Sequence, residues 1–206
     1  MRPDETYQLL RSLTSPVVAI TSERAGKRNG MISDSAARAS IVPEIPRISV
    51  YIHKFNFSHD LIFDTGRFAL HLLRNDQFDL IHRLGFTSGR ARDKLADVPH
   101  RPGMLGVPVL DECYAHFECR VANVMDTGSS TCFLGDVVEA GYGASTGARG
   151  TVMTAAYFRT NMPPEWREEY ETLLAAAQRF AAERSRDIKP VYRAPPPAAS
   201  GRAAAP

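Results

Sequence analysis

The sequence predicts a mainly β protein, an antiparallel barrel with helices at its periphery. Three observations lead there. "PRISVYIH" alternates strictly, with Ile48, Val50 and Ile52 on one parity and Ser49, Tyr51 and His53 on the other. The second half reads as consecutive strands joined by short turns, from "YAHFECRV" through "TCFLGDVVEAG" to "TVMTAAYFRT". Helical spacing is confined to short stretches and to one longer stripe near the C-terminus.

Taken in order, "DETYQLLRSL" places Tyr7, Leu10 and Leu13 at helical spacing behind an acidic start, a short amphipathic helix. "PVVAITSE" then supplies a strand through Val17, Val18 and Ile20, and "RAGKRNG" a surface turn, together a hairpin. After the strand at 47–53, "HDLIFDTG" is a short helix and "GRFALHLL" a further strand. "DQFDLIHRLG" puts Phe78, Ile81 and Leu84 at helical spacing between Asp76 as N-cap and Gly85 as stop. Further on, Ala115, Phe117, Cys119 and Val121 alternate with His116, Glu118 and Arg120, a long strand with one wet face ending at "MDTGSS".

The apolar positions Trp166, Tyr170, Leu173, Leu174, Ala177 and Phe180 form a helical stripe that covers the barrel or, alternatively, a partner subunit. "YRAPPPAASGRAAAP" has no periodicity and reads as an extension. The expected organisation is one domain over 1–185 and a Pro/Ala-rich, disordered or extended tail over 186–206.

Composition narrows the function. The net charge of +2 and the absence of basic residues interleaved with aromatics argue against a nucleic-acid partner. No apolar run approaches the roughly 20 residues that span a bilayer, and no secretion signal opens the chain, so a cytoplasmic protein without membrane contact is expected. Three cysteines lack C-x-x-C spacing and read as small buried apolar residues. Six histidines show no ligand spacing, so no metal is assigned. "GYGASTG" has three residues between its second and third glycines, not two, and reads as a loop. No G-x-S-x-G elbow occurs.

"KFNFSHDLI" is more informative. Lys54, Asn56 and Ser58 stand where a buried strand gives way to a helix start, and such junctions bind anions through unsatisfied N–H groups. The plainer alternative is that Ser58 caps the helix and Lys54 is solvated. "NGMISDSAARAS" is a hydroxyl-rich extended segment that lets a flat ligand approach the backbone, and "LGFTSGRARDKL" is a second polar loop carrying Ser88, Gly89, Arg90 and Lys94.

Together these segments resemble the flavin reductase family, the FMN-binding split-barrel flavoproteins. The likeness covers roughly residues 10 to 160, in order: "SPVVAITS", "NGMISDSAARAS", "KFNFSHDLI", "GRFALHLL", "LGFTSGRARDKL" and "CFLGDVVEA". The family's Asn-Gly-Met-Thr appears here as Asn29-Gly30-Met31-Ile32, and its Tyr-Thr-His as Phe57-Ser58-His59.

The resemblance implies a six-stranded antiparallel split barrel, usually a homodimer, holding FMN or sometimes FAD. The backbone of Asn29, Gly30, Met31 and Ile32, with Ser33, Asp34 and Ser35, would edge the isoalloxazine and ribityl chain. Lys54, Asn56 and Ser58 would face the phosphate beside Phe57, and Ser88, Gly89, Arg90 and Lys94 belong to the matching loop. The implied activity is reduction of flavin by NAD(P)H, with reduced flavin passed on or released to a partner monooxygenase. Chemistry would reside on the flavin, so no catalytic side chain is assigned.

One departure is visible. Many members of the family carry Gly-Asp-His where this chain reads Gly128-Ser129-Ser130-Thr131. His116 is the available stand-in, although its strand position also reads as a surface histidine. Two alternatives therefore stand beside the reductase: a flavoenzyme with resident FMN acting on a small substrate, and a non-catalytic flavin or electron carrier.

Overall fold

The computed structural model describes residues 6, 9–13, 15–144, 150–186 and 188. Of the expected N-terminal helix over 4–13, residues 6, 9 and 10 are helical and 4, 5, 7 and 8 lie outside the described residues, as does nearly all of the tail.

Seven antiparallel strands form one curled sheet in the order β2-β1-β5-β8-β9-β4-β3, one strand more than expected. They are β1 (Val18–Arg24), β2 (Lys27–Ser33), β3 (Ala36–Arg38), β4 (Arg47–His53), β5 (Arg67–Leu72), β8 (Ala115–Asp126) and β9 (Ser130–Tyr142). The additional strand is β3, whose three residues pair with Val50, Ser49 and Ile48 of β4.

The hairpin at "RAGKRNG" forms as expected. Ala25 and Gly26 both take positive φ, 51° and 81°, which matches the twist of a tight two-residue turn between Arg24 and Lys27. Register shifts in the β8–β9 pair, between Glu118 and Cys119 and between Val121 and Asn123, bend the two longest strands and help curl the sheet.

β1 explains why "PVVAITS" is continuously apolar. Val18 and Ile20 face the barrel interior, packing with Phe68, Leu70 and Phe133. Val17 and Ala19 face a second core built from Leu73, Ile81, Leu84, Leu110 and Phe158. A strand buried on both faces loses its alternation.

Helices line the outside: α1 (Phe57–Thr65), α2 (Phe78–Gly85), α3 (Ala155–Asn161) and α4 (Arg167–Arg184). α1 ends at Gly66, which takes φ 66° and returns its N–H to Ile62 O. α2 is where expected, but its N-cap is Gln77, not Asp76, and the cap has no side-chain bond. Gln77 is instead used to tie Arg74 N and Glu112 O at 2.8 and 2.9 Å.

Two sequence expectations are corrected. "TVMTAAYFRT" is not a strand: Val152 and Thr154 make isolated bridges, to Arg74 and Pro16, and α3 begins at Ala155. Thr154 Oγ1 accepts from Tyr157 N at 3.1 Å and so caps it.

The expected wet face of β8 is wet at Arg120 but dry at its first two positions. His116 and Glu118 are 4% and 2% exposed. A separate two-stranded sheet, β6 (His100–Pro102) with β7 (Pro108–Leu110), packs nearby. Glu118 accepts from Met104 N and Leu105 N in the turn between those strands, at 2.9 and 2.8 Å. Glu118 is thus satisfied by loop backbone in place of water.

Candidate functional site

Three segments that are distant in sequence meet beside the start of α1. Asn29 on β2 donates through Nδ2 to Ser58 Oγ on α1 at 2.9 Å, and both residues are buried. Gly89, in the loop after α2, lies against the same amide, so that a Cβ there would fall onto Asn29. Gly30 sits flush on α2, where a Cβ would stand 2.9 Å from Leu84 Cδ2. Asn29 Oδ1 is buried without a hydrogen-bond partner among the described residues.

Ser58 therefore does not cap α1. The N-cap is Asn56, in extended conformation and without a side-chain cap bond. The helix start thus offers N–H groups and the positive end of its dipole with no side chain of its own in the capping place.

Two cations flank it, each paired. Lys54 Nζ donates to Asp126 Oδ1 at 2.7 Å, and Arg90 Nη2 to Asp60 Oδ2 at 2.7 Å. Arg90 also lies 5.1 Å from the centroid of the Phe57 ring. Ser88 Oγ accepts from Arg90 N at 3.2 Å, which sets the turn that carries Arg90.

Lys94 differs from the other two cations. It is 4% exposed, and its Nζ donates to Leu84 O at 2.6 Å and Thr87 O at 3.0 Å. Burial pulls its pKa down to about 8, with Arg92 adding to the effect. Its ammonium ties the end of α2 to the 88–90 turn.

The rest of the expected set runs along the end of β2. Met31 points into the barrel core, and Ile32 packs on the second core beside α2. Ser33 Oγ accepts from Ser35 N at 3.2 Å, and Ser35 Oγ donates to Asp34 Oδ1 at 3.3 Å. Arg159 of α3 approaches Asp34 at 3.8 Å.

Ile32, Ser33, Asp34 and Asn56 border a cavity of about 300 Å³, lined on its far side by Tyr170, Leu173, Leu174 and Ala177 of α4. The apolar stripe of α4 thus covers its own chain.

His53 and Phe55 also line this cavity, and the sequence reading did not select either as a site residue. His53 Nδ1 is paired with Ser130 Oγ at 2.8 Å, and its ring stacks on Phe55 at 5.2 Å. Phe55 in turn meets Phe180 of α4 edge-on at 5.0 Å, and Ser185 Oγ reaches Ser129 Oγ at 3.3 Å. The signal for His53 was present, a bulky polar residue ending a strand just before the Lys54 junction.

His116 lies elsewhere. It does not line the cavity, its ring centre is 6.4 Å from that of His71, and its Nδ1 has no partner among the described residues.

The donor set can be tested against a ligand. An uncapped helix start between two cations suits an anionic group. A β2 edge with Gly30 pressed onto Leu84 and Ile32 facing the cavity suits a flat apolar one. A phosphorylated planar cofactor fits both. Among the described residues, no cluster of His, Cys, Asp and Glu could hold a metal ion.

The comparisons with known proteins point the same way. Residues 10–164 match the family model described as flavin reductase like domain. The chain is 30% identical over 151 residues to the high molecular weight rubredoxin of Moorella thermoacetica, a match covering 72% of this chain and 63% of that protein. It is 31% identical to the FMN reductase (NADH) SmoA of Agrobacterium fabrum, over 65% of this chain and 73% of the relative. Among solved structures, nitrilotriacetate monooxygenase component B from Mycobacterium thermoresistibile superposes with a TM-score of 0.62 at 26% identity, covering 81% of this chain and 94% of that one.

Proposed function

The chain belongs to the flavin reductase-like domain family, and from that premise we propose that it is an NAD(P)H-dependent flavin reductase that takes FMN, with FAD as the alternative flavin. One observation carries this reading: the uncapped start of α1 between Lys54 and Arg90, joined through the Asn29–Ser58 bond to a β2 edge that borders a cavity.

In this reading Lys54, Asn56, Phe57 and Ser58 form the phosphate corner. Charge-assisted bonds from Lys54 and the N–H groups of α1 supply most of the grip. Ser88, Gly89 and Arg90 close the corner, and Lys94 holds their loop in place. The backbone of 29–32 and the small residues Ser33, Asp34 and Ser35 edge the ring and ribityl chain.

Bound flavin supplies the hydride-accepting centre, N5, so the protein is left to position and to exclude water. The apolar face of α4 and the Phe55 ring border the cavity, so a ring bound there would displace water and strengthen the polar contacts made inside it. Backbone donors along β2 offset the negative charge that grows on reduction. No acid–base triad is required.

The similarity to a monooxygenase component supports a role in supplying reduced flavin to an oxygenase partner. The free cysteines Cys113, Cys119 and Cys132 are in keeping with a reducing compartment such as the cytoplasm. Exposed Ile41, Val42 and Ile45 beside an apolar cavity of about 590 Å³ support a homodimer.

A second reading, a flavoenzyme with resident FMN acting on its own small substrate, is favoured by the roof that α4 places over the cavity. Protein that purifies colourless, with weak affinity for FMN, would set it aside.

The deciding experiment mixes protein with excess FMN and NADH or NADPH without oxygen. Loss of the yellow absorbance over many turnovers is expected. Colour that persists with both nicotinamides would end the reductase reading.

A further inference from the structure

Both cations at the start of α1 are already held by carboxylates of this chain. Asp126 opens the β8–β9 turn, where its Oδ1 accepts from Gly128 N at 2.8 Å as well as from Lys54 at 2.7 Å. Asp60 lies in the first turn of α1 itself and takes Arg90 at 2.7 Å. Asp60 thereby sets its own negative charge by the helix end that the anion site offers, where the dipole favours it.

Both ion pairs stand partly in solvent. Side-chain exposures are 33% and 38% for Lys54 and Asp126, and 51% and 40% for Arg90 and Asp60. Pairs this exposed contribute little and reopen readily. A phosphate monoester carries more charge than a carboxylate near neutral pH and offers three acceptor oxygens. It can therefore compete for both cations while also taking the helix N–H groups, which the two carboxylates do not do together.

Resting on the flavin reading above, we propose that the flavin phosphate binds by ion-pair exchange, taking Lys54 from Asp126 and Arg90 from Asp60. The displaced carboxylates stay tethered beside the site. They compete for the cations and repel the phosphate, and so set how firmly it is held. A phosphate held against such internal competitors leaves easily, which suits flavin used as an exchangeable substrate that departs after reduction. The two aspartates are specificity-determining residues for release, not ligands.

The test measures dissociation constants for FMN and riboflavin, by quenching of flavin fluorescence, in wild type, Asp126→Asn, Asp60→Asn and Lys54→Ala. Asparagine keeps an acceptor for Gly128 N, so the turn is retained. Each Asn variant should bind FMN about fivefold more tightly, the scale of one exposed ion pair, with riboflavin unchanged. Lys54→Ala should loosen FMN about tenfold, again without effect on riboflavin.

The opposite signs are the diagnostic feature, because side chains that only shaped the site would weaken binding in every variant. FMN affinity that is unchanged or weakened in both folded Asn variants overturns the exchange, as does equal tightening of riboflavin. Wild type that still prefers FMN to riboflavin in that case leaves the flavin reading intact. Wild type that takes up neither flavin overturns that reading and the exchange with it.

Discussion

Lys94 keeps an ammonium group in a nearly dry loop with two backbone carbonyls as its acceptors. Its pKa falls from 10.5 to about 8, so the folded state releases this proton before the unfolded chain does. The unfolded chain therefore holds more protons between those values, and stability attributable to Lys94 rises with pH across that window. The slope is at most about 1.4 kcal/mol per pH unit. Melting of wild type against Lys94→Met between pH 7.5 and 10.5 should show it, as a wild-type gain that the variant lacks; parallel curves would contradict the burial. Gly89 makes a second prediction at this scale. Gly89→Ala forces its Cβ onto the Asn29 amide and so breaks the Asn29–Ser58 contact. Loss of one buried bond with its partner left unsatisfied costs about 1–3 kcal/mol. FMN affinity and urea stability should fall together, whereas a fully stable, fully binding variant would show that the 88–90 turn does not brace the site.

At the scale of elements, caps separate what was legible from what was not. "TVMTAAYFRT" carries β-branched and aromatic residues suited to a strand, and only Thr154 marks a helix start. The hydroxyl of Thr154 binds Tyr157 N at 3.1 Å, and the apolar side of α3 then packs Ala155 and Phe158 into the second core. Thr154→Ala should lower unfolding free energy by about 1 kcal/mol. An unchanged denaturation midpoint would mean that packing alone sets the boundary. The β6–β7 pair was missed for a related reason. Its strands have three residues each and contain Pro102 and Pro108, too short and too irregular for a period to register. That pair supplies the donors for Glu118, so a polar residue that alternation places toward solvent is buried.

For the molecule as a whole, the apolar surface around Ile41, Val42 and Ile45 leaves an unfinished boundary. Ile41 is 85% exposed, next to an apolar cavity of about 590 Å³ walled by Pro16, Leu72 and Phe117. Covering such surface with a second copy removes it from water at about 25 cal/mol per Å². Light scattering should give twice the chain mass for wild type and a lower average mass for Ile41→Asp. Wild type that stays at a single chain mass at tens of micromolar would remove the homodimer proposal.

The sequence by itself determined that β1, β4 and β5 are strands and that a hairpin follows β1, together with the α1 and α2 positions, the Lys54–Ser58 junction and the family. All of these rest on local spacing or on short motifs that keep their meaning wherever the chain folds. Only the tertiary structure decided that Ser58 serves Asn29 and not a cap, that Lys94 braces a loop, and that Asp60 and Asp126 hold the two cations. It also decided that α4 covers the cavity and that His116 is buried away from it. Lys94 meets carbonyls only 10 and 7 residues away, and burial of its loop decides its role; for the others the physical reason is sequence separation. Asn29 lies 29 residues from Ser58, and Lys54 lies 72 from Asp126. Which polar groups meet across such separations depends on strand pairing and on sheet curl, and neither is written in any local period.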